Sequence, residues 1–377
     1  MKKTVSLFLS ILLLIYLSAC SATNNTPGKS SDMSGSGQEK DIVKEEPVRR
    51  EITILTAGDI MFHNPQIKAA YTGKTYNFKP SFEEIKPIIE KADIAIGNFE
   101  TTINPDKKPS GYPTFNAPVE VLDAIKYAGF DVLTTANNHA MDTGTKGLLN
   151  TVEAIKEHGM IPVGTGKKDD DKFAIVEKNG VNVAILSYTY GTNGIKAPDG
   201  MVNLIDKDKI KSDIERVKNR SDFVLVMLHT GTEYIRKVED FQYALFREIA
   251  DMGADAVIGG HPHVARKSEV YSSNGRNVFI SYSMGNFISN QTAKYTDIGT
   301  MVELRVVKTD TAKIEDARVI PVYRSIIKQG GRTIHQVLPA ENIDKYSDKV
   351  PVSRRSYVKQ VYGELTDIKD IEVFKNR

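Results

Sequence analysis

The sequence predicts an α/β fold, and three observations carry that expectation. Apolar, often β-branched runs alternate with stretches of helical spacing from about residue 51 onward. Several of those runs end in polar loops containing Asp, Asn and His, where an α/β fold places its functional groups. The chain also has the bulk for a substantial core: its 377 residues, 40% hydrophobic and 26% charged, suffice for one large domain or two ordinary ones.

The first twenty residues stand apart. Lys2 and Lys3 precede an apolar stretch from Val5 to Leu17. It is short for a spanning helix, which needs roughly 20 residues, and it has the charged-then-apolar order of a secretory signal. Leu17-Ser18-Ala19-Cys20 resembles a bacterial lipobox. That implies a signal peptide over 1–19, lipid on the Cys20 thiol and a protein anchored at the extracytoplasmic face of the cell membrane. An ordinary signal peptide or an uncleaved anchor is the alternative. Cys20 is the only cysteine, so no intrachain disulfide can form. Loss of residues 1–19 removes two lysines and takes the formal charge from +2 to zero, and nothing in the charge pattern points to nucleic acid. Residues 20–50 are mostly small, polar or charged and read as a flexible tether.

Order is expected from Glu51. "EITILTAGD" reads as a buried strand, Ser81–Lys91 as a helix opened by a Ser81-x-x-Glu84 capping box, and "ADIAIGNFE" as a strand running into a loop at Gly97. Pro118–Ala128 and Thr145–His158 are helical in spacing, with the strand and loop of "DVLTTANNHAMD" between them. "VNVAILSY", "DFVLVMLHTG", "ADAVIGGHPH" and "NVFISYSMGNF" are further strands, with helices at Lys207–Lys218 and Asp240–Met252. "MVELRVVK" and "KIEDARVIPVYR" suggest a sheet edge or an antiparallel pair. A folded domain over 51–327 is expected, with the polar stretch 328–377 as a peripheral cap or partly disordered tail.

The polar residues ending those strands form the candidate site. They are Asp59, Asn98 and Glu100, then Asn137, Asn138 and His139, then His229, then His261 and His263, and finally Asn286. Four of the seven histidines lie at such boundaries. Imidazole nitrogens together with carboxylate and amide oxygens suit Mn, Fe or Zn rather than Ca or Mg. In "GGHPH", residues two apart in extended backbone stand about 6–7 Å apart at Cα. Pro262 biases His261 towards that conformation, so the two imidazoles are expected to reach neighbouring metal positions.

The series "GDIM", "GNFE", "ANNHAMD", "HTGTEY", "GGHPHV" and "SMGNF" resembles the CapA-like poly-γ-glutamate capsule-biosynthesis family, within the calcineurin-like metallophosphoesterase superfamily. The resemblance covers about Glu51 to Tyr323. It implies a four-layer α/β/β/α sandwich with the site at the sheet edges and one or two divalent ions. By that likeness Asp59 and His263 ligate the first metal, and Glu100 bridges, with Asn98 a lesser candidate. Asn138, His229 and His261 ligate the second, and His139 is the catalytic acid. Two ions about 3.5–4 Å apart would stabilise charge developing on a phosphoryl or acyl oxygen. The chain departs from the superfamily at Met61, where a histidine ligand is usual, and at Glu100, where an aspartate is usual. Thr230 replaces the branch's tryptophan.

Other residues carry open readings. Asp142 hydrogen-bonds His139 or is structural. Glu233 and Tyr234 contact substrate, with Glu233 also able to orient His229, or they are surface residues. Arg266 meets an anionic substrate or is a solvated loop charge. His158 and His335 are read as structural. The resemblance implies a lipid-anchored, metal-dependent hydrolase or transferase acting on an anionic polymer or precursor, most directly poly-γ-glutamate. The alternatives are a non-enzymatic scaffold binding the polymer or a membrane synthase, and a cell-surface phosphoesterase.

Overall fold

The longer central strands are apolar on both faces because each is covered twice, by helices on one side and by a second sheet on the other. The structure, a computed structural model, describes residues 48–374. The expected signal peptide, Cys20 and nearly all of the tether lie outside the described residues. No helix among the described residues is long and apolar enough to cross a membrane.

The first half of the chain runs β1 (Arg50–Ile60), α1 (Asn64–Ala70), α2 (Lys86–Ile89), β2 (Ile94–Phe99), α3 (Glu120–Ala128), β3 (Val132–Thr134), α4 (Gly144–Glu157) and β4 (Ile161–Val163). A second set follows: β5 (Ala174–Lys178), β6 (Val181–Thr189), α5 (Lys207–Lys218), β7 (Phe223–His229), α6 (Asp240–Met252), β8 (Ala256–Gly260), β9 (Ser268–Ser273) and β10 (Arg276–Ser281). The chain then returns to the first sheet through β11 (Asn286–Ile288), β12 (Ile298–Lys308), β13 (Ala312–Gln329) and β14 (Arg332–Pro339), and ends in α7 (Val352–Thr366). The first sheet has the order β14-β13-β12-β1-β2-β3-β4 with β11 paired to β1, and the second β5-β6-β7-β8-β10-β9. In each, the central strands are parallel.

Side-chain alternation assigns the layers. In β1, Ile52 and Ile54 face the second sheet, while Leu55 and Ala57 face the helices. In β7, Phe223, Leu225 and Met227 meet the first sheet, and Val224, Val226 and Leu228 pack under α5 and α6 with Ile210, Ile214 and Phe246. The result is a four-layer α/β/β/α sandwich, as the resemblance implies. "MVELRVVK" and "KIEDARVIPVYR" are the antiparallel neighbours β12 and β13. The boundary expected between residues 327 and 328 falls inside β13. Leu338 and Ala340, at the end of β14 and just beyond it, pack with Val358, Val361 and Leu365 of α7.

One helix is shorter than its spacing suggests. Residues 81–91 hold only the four-residue α2, preceded by a 3₁₀ turn at Lys79–Ser81. Pro87 has no N–H to continue a helix begun at Ser81 and fits only in a first turn. The capping box therefore does not form, and Glu84 pairs with Lys349 instead.

The edge that carries the polar strand ends depends on a close backbone approach. A Cβ on Gly58 would lie 2.0 Å from the Gly285 carbonyl oxygen, beside the bond from Asp59 N–H to that same oxygen. Gly58→Ala should therefore cost on the order of 2 kcal/mol or more, measured by denaturant unfolding; an unchanged midpoint would show that the two segments separate freely.

Candidate metal centre

Parallel strands of both sheets end at one edge, and their last residues meet there. Asp59 is the penultimate residue of β1, and Glu100 follows β2. Asn138 and His139 lie in the bend after β3, His229 ends β7, and His261 and His263 follow β8. Asp59 and Glu100 are fully buried.

Two groups of three potential ligands emerge, Asp59 with Glu100 and His263, and Glu100 with His229 and His261. Glu100 belongs to both. Its Oε1 lies 3.5 Å from His229 Nε2 and 3.9 Å from His263 Nε2, yet it has no hydrogen-bond partner. His261 Nδ1 is likewise buried and unpartnered. Buried polar atoms are almost always satisfied, so these two orphans, framed by imidazoles and carboxylates, fit a divalent cation. Asn138 Oδ1 is 2.7 Å from His229 Nε2 and so stands beside the second group. All six residues expected to ligate metal are thus brought together. A third group joins Glu233 to His261 and His263.

Asn98 holds the centre in register. Its amide nitrogen donates to Asp59 Oδ1 at 2.8 Å and to Glu100 Oε2 at 3.4 Å, and its oxygen accepts from Thr134 and Asn137. Asn286 Oδ1 and Asp59 Oδ2 each lie 3.1 Å from His263 Nδ1, which turns His263 Nε2 towards Glu100. Met61 is buried and contributes to neither group.

The charges divide unevenly. Burial alone would raise the Asp59 carboxyl, but the His263 hydrogen bond, the His229 and His263 charges and the Asn98 amide bring it down to about 2. Glu100 is pushed up to about 8, by burial first and then by the Asp59 charge. Burial opposes charge on His263, yet Glu100 and the Asp59 hydrogen bond raise it to about 9. His229 and His261 are lowered by burial, to about 3 and about 2.

The histidine loop departs from the expected extended form. His261 has φ 92° and His263 φ 58°, so the chain turns sharply after β8 instead of continuing as a strand. Such angles are costly for residues other than glycine and persist where surrounding contacts impose them. Here His261 N–H donates to Asp59 Oδ2 at 3.3 Å and Pro262 O accepts from Tyr234 N–H at 2.9 Å. The ring centroids of His261 and His263 are 5.7 Å apart; a turn rather than pleat spacing divides them between the two groups that contain Glu100, while both face Glu233. Gly260 leaves the room: its Cβ would sit 2.9 Å from Asp59 Oδ1.

His139 Nδ1 is 2.8 Å from Asp142 Oδ2, which also accepts from Phe115 N–H at 2.6 Å. The imidazole packs edge-on against Phe115, with centroids 4.7 Å apart. Tyr234 is half exposed, 6.1 Å from His263 between ring centroids. Arg266 is neither a substrate contact nor a solvated charge. Its side chain is wholly buried, bonded to the Ile235 and Thr232 carbonyls, to Gln242 and to Glu239, because the 230–239 loop folds over it. It therefore anchors the loop that carries Glu233 and Tyr234. His158 bonds the Ala154 carbonyl at a helix end, and His335 lines a separate cavity.

Sequence reading missed Asn193, which bonds Asn138 at 3.2 Å and approaches His139 Nδ1 at 3.5 Å. Its "TNG" context signals only a turn. It also missed Tyr190, whose ring lies 4.6 Å from that of His261, although Tyr190 follows the end of β6 and the strand-end rule reaches it.

Residues 53–291 match the family described as bacterial capsule synthesis protein PGA_cap. The chain belongs to that family. It is 32% identical over 289 residues to the capsule biosynthesis protein CapA of Bacillus anthracis, covering 72% of this chain and 67% of the relative. To the PGA biosynthesis protein CapA of Bacillus subtilis (strain 168) it is 32% identical over 267 residues, covering 66% and 68%. Among solved structures, the 5'-nucleotidase of Candida albicans SC5314 overlaps at 12% identity and a TM-score of 0.43, over 83% of this chain and 57% of that one. The PGA_cap match spans every residue of the two ligand groups and stops before β12.

Because Glu100 sits in both groups of this PGA_cap chain, Glu100→Gln should weaken both metal positions, while His261→Ala and His263→Ala should each remove one equivalent. Metal analysis after equilibration with Mn, Fe or Zn reads this, and identical losses from all three would contradict the division. The same titration should show protons leaving. Burial pushes Glu100 up, and the Glu100 and Asp59 charges push His263 up, so the metal-free pair holds protons more tightly than free side chains do. Ligation requires their loss, so calorimetric proton release should fade, and affinity level off, as the pH rises past about 9.

Proposed function

We propose that this capsule synthesis protein carries a two-metal, hydrolase-like site that acts on poly-γ-glutamate or its precursor. The observation behind this reading is Glu100, an unsatisfied buried carboxylate shared by two histidine-containing ligand groups. Asp59, Glu100 and His263 would hold one cation, and Glu100, Asn138, His229 and His261 the other. Divalent ions supply Lewis-acid polarisation of a substrate oxygen and lower the pKa of attacking water.

The chain's own residues do the rest. Asp142 engages His139 Nδ1, so Nε2 is the ring atom left for a substrate; this is the arrangement of a proton donor to a leaving group. Cleavage of a γ-glutamyl amide breaks the C–N bond, adds the oxygen of water to the acyl carbon and leaves a proton on the departing nitrogen. His139 is placed in the role of delivering that proton. Phe115 covers one side of the imidazole and keeps it from rotating away from Asp142. The curated relatives' names, capsule and PGA biosynthesis, support the choice of polymer. The lipobox-like Leu17-Ser18-Ala19-Cys20 supports a lipid anchor at the extracytoplasmic face, where a membrane synthase would release its product.

Screening the metal-loaded chain on chromogenic phosphodiesters and γ-glutamyl oligomers tests the reaction. His139→Ala should lower kcat by about 10²–10³-fold and Asp142→Asn by less, both with metal content intact. Turnover unaffected by either would remove His139 from the chemistry.

The anchor has its own test. Cys20→Ala should abolish incorporation of labelled lipid and release the protein from the membrane; labelled, membrane-held Cys20→Ala protein would refute it.

A further inference from the structure

Beside the metal centre lies a groove of about 880 Å³ between the segment after β11 and the start of α7. Its inner end is Gln291. The Gln291 side chain accepts from Asn286 at 2.8 Å and donates to the Tyr234 hydroxyl at 3.3 Å, and Asn286 in turn contacts His263. The groove thus begins two hydrogen bonds from a candidate metal ligand.

Its walls are cationic. Lys294, Arg324, Lys349 and Arg354 line it against a single acid, Asp297. Lys349 is paired with Glu84 from outside the groove. The other three are poorly matched. Lys294 makes no ion pair among the described residues and lies over the Tyr295 ring at 4.6 Å. Arg354 is exposed and reaches Asp297 only at 3.8 Å, while the Tyr357 hydroxyl donates to that carboxylate at 3.1 Å. Arg324 donates through Nη2 to the Gln291 carbonyl, yet its Nε is buried without an acceptor. Unmatched cations in a concave, partly desolvated surface form a receptor for negative charge. Several of them lining one groove suit a repeating anionic chain better than one small anion.

We propose that this groove is an extended subsite holding the carboxylates of a linear polyanion, a polyglutamate chain, while one of its bonds lies at the metal centre. Lys294 and Arg354 set specificity at its mouth, and Arg324 grips the carboxylate nearest Gln291. The inference rests on the proposed function for its choice of polymer, but its binding step requires no turnover.

The test uses the full chain in detergent at low salt, with a fluorescent γ-glutamyl decamer as probe and polyphosphate of similar length as comparison. Lys294→Gln/Arg354→Gln should weaken decamer binding about tenfold, which corresponds to about 0.7 kcal/mol for each of two solvent-exposed charge contacts. Metal content, and turnover of a small phosphodiester too short to enter the groove, should not change. Should the double variant melt early, Lys294→Gln alone gives the same reading at about threefold. Wild-type binding by the double variant, no decamer binding by the native chain, or tighter binding of polyphosphate would overturn the proposal. Loss of metal along with binding would also overturn it, since the groove would not then be separate from the centre. A chain that binds the decamer, loses it on substitution and turns over nothing would sink the hydrolase reading and leave the groove standing.

Discussion

Two carboxyl groups, Asp59 and Glu100, are held out of water at the ends of neighbouring parallel strands, fully buried, and the Asp59 charge pushes Glu100 up. Burying an ion costs several kcal/mol unless opposite charge and hydrogen bonds answer it. Asp59 is answered within the protein, by Asn98, His263 and the His261 amide. Glu100 is not: its Oε1 has no hydrogen-bond partner although the His229 and His263 imidazoles stand 3.5 and 3.9 Å away. That imbalance organises the site. It raises Glu100, raises His263 beside it, and leaves a cation-shaped deficit between imidazoles.

The sandwich makes such a concentration possible. Parallel strands present all their carboxy-terminal ends on one edge, and stacking two such sheets brings two edges together. Ile52 and Ile54 of β1 packing on the inner faces of β6 and β7 therefore does more than fill the core. It sets Asp59 from one sheet within reach of His229 and His263 from the other. The close backbone passage at Gly58 and the open space above Gly260 give the carboxylate its place.

Around this centre the loops are fastened individually. Arg266 has given up solvent entirely to hold the 230–239 loop, using its planar guanidinium to bond several acceptors at once. Asp142 and Phe115 fasten His139. On another flank, α7 packs against the end of β14, and β13 and the start of α7 supply one wall of the cationic groove. The ligand groups lie within the stretch that matches the capsule synthesis family, whereas part of that wall lies beyond it.

The sequence alone determined the α/β class, the helices at Lys207–Lys218 and Asp240–Met252, and the strand-end residues of the centre. These are local patterns: apolar alternation and the residue just past a strand survive whatever the strand packs against. The same logic, carried one strand further, reaches Tyr190. Other features were decided only by tertiary structure. Pro262 suggested extended backbone at His261, but contacts with Asp59 and Tyr234 from distant segments impose positive φ on both histidines. Arg266 read as a substrate contact or a solvated charge, because its burial is conferred by a loop thirty residues earlier. Asn193 carries no local signal of a site, and its contacts with Asn138 and His139 exist because the two sheets stack. The groove beside Gln291 likewise joins segments distant in sequence. Periodicity reports which side of an element is apolar; which other element covers it is settled by long-range packing that no local window contains.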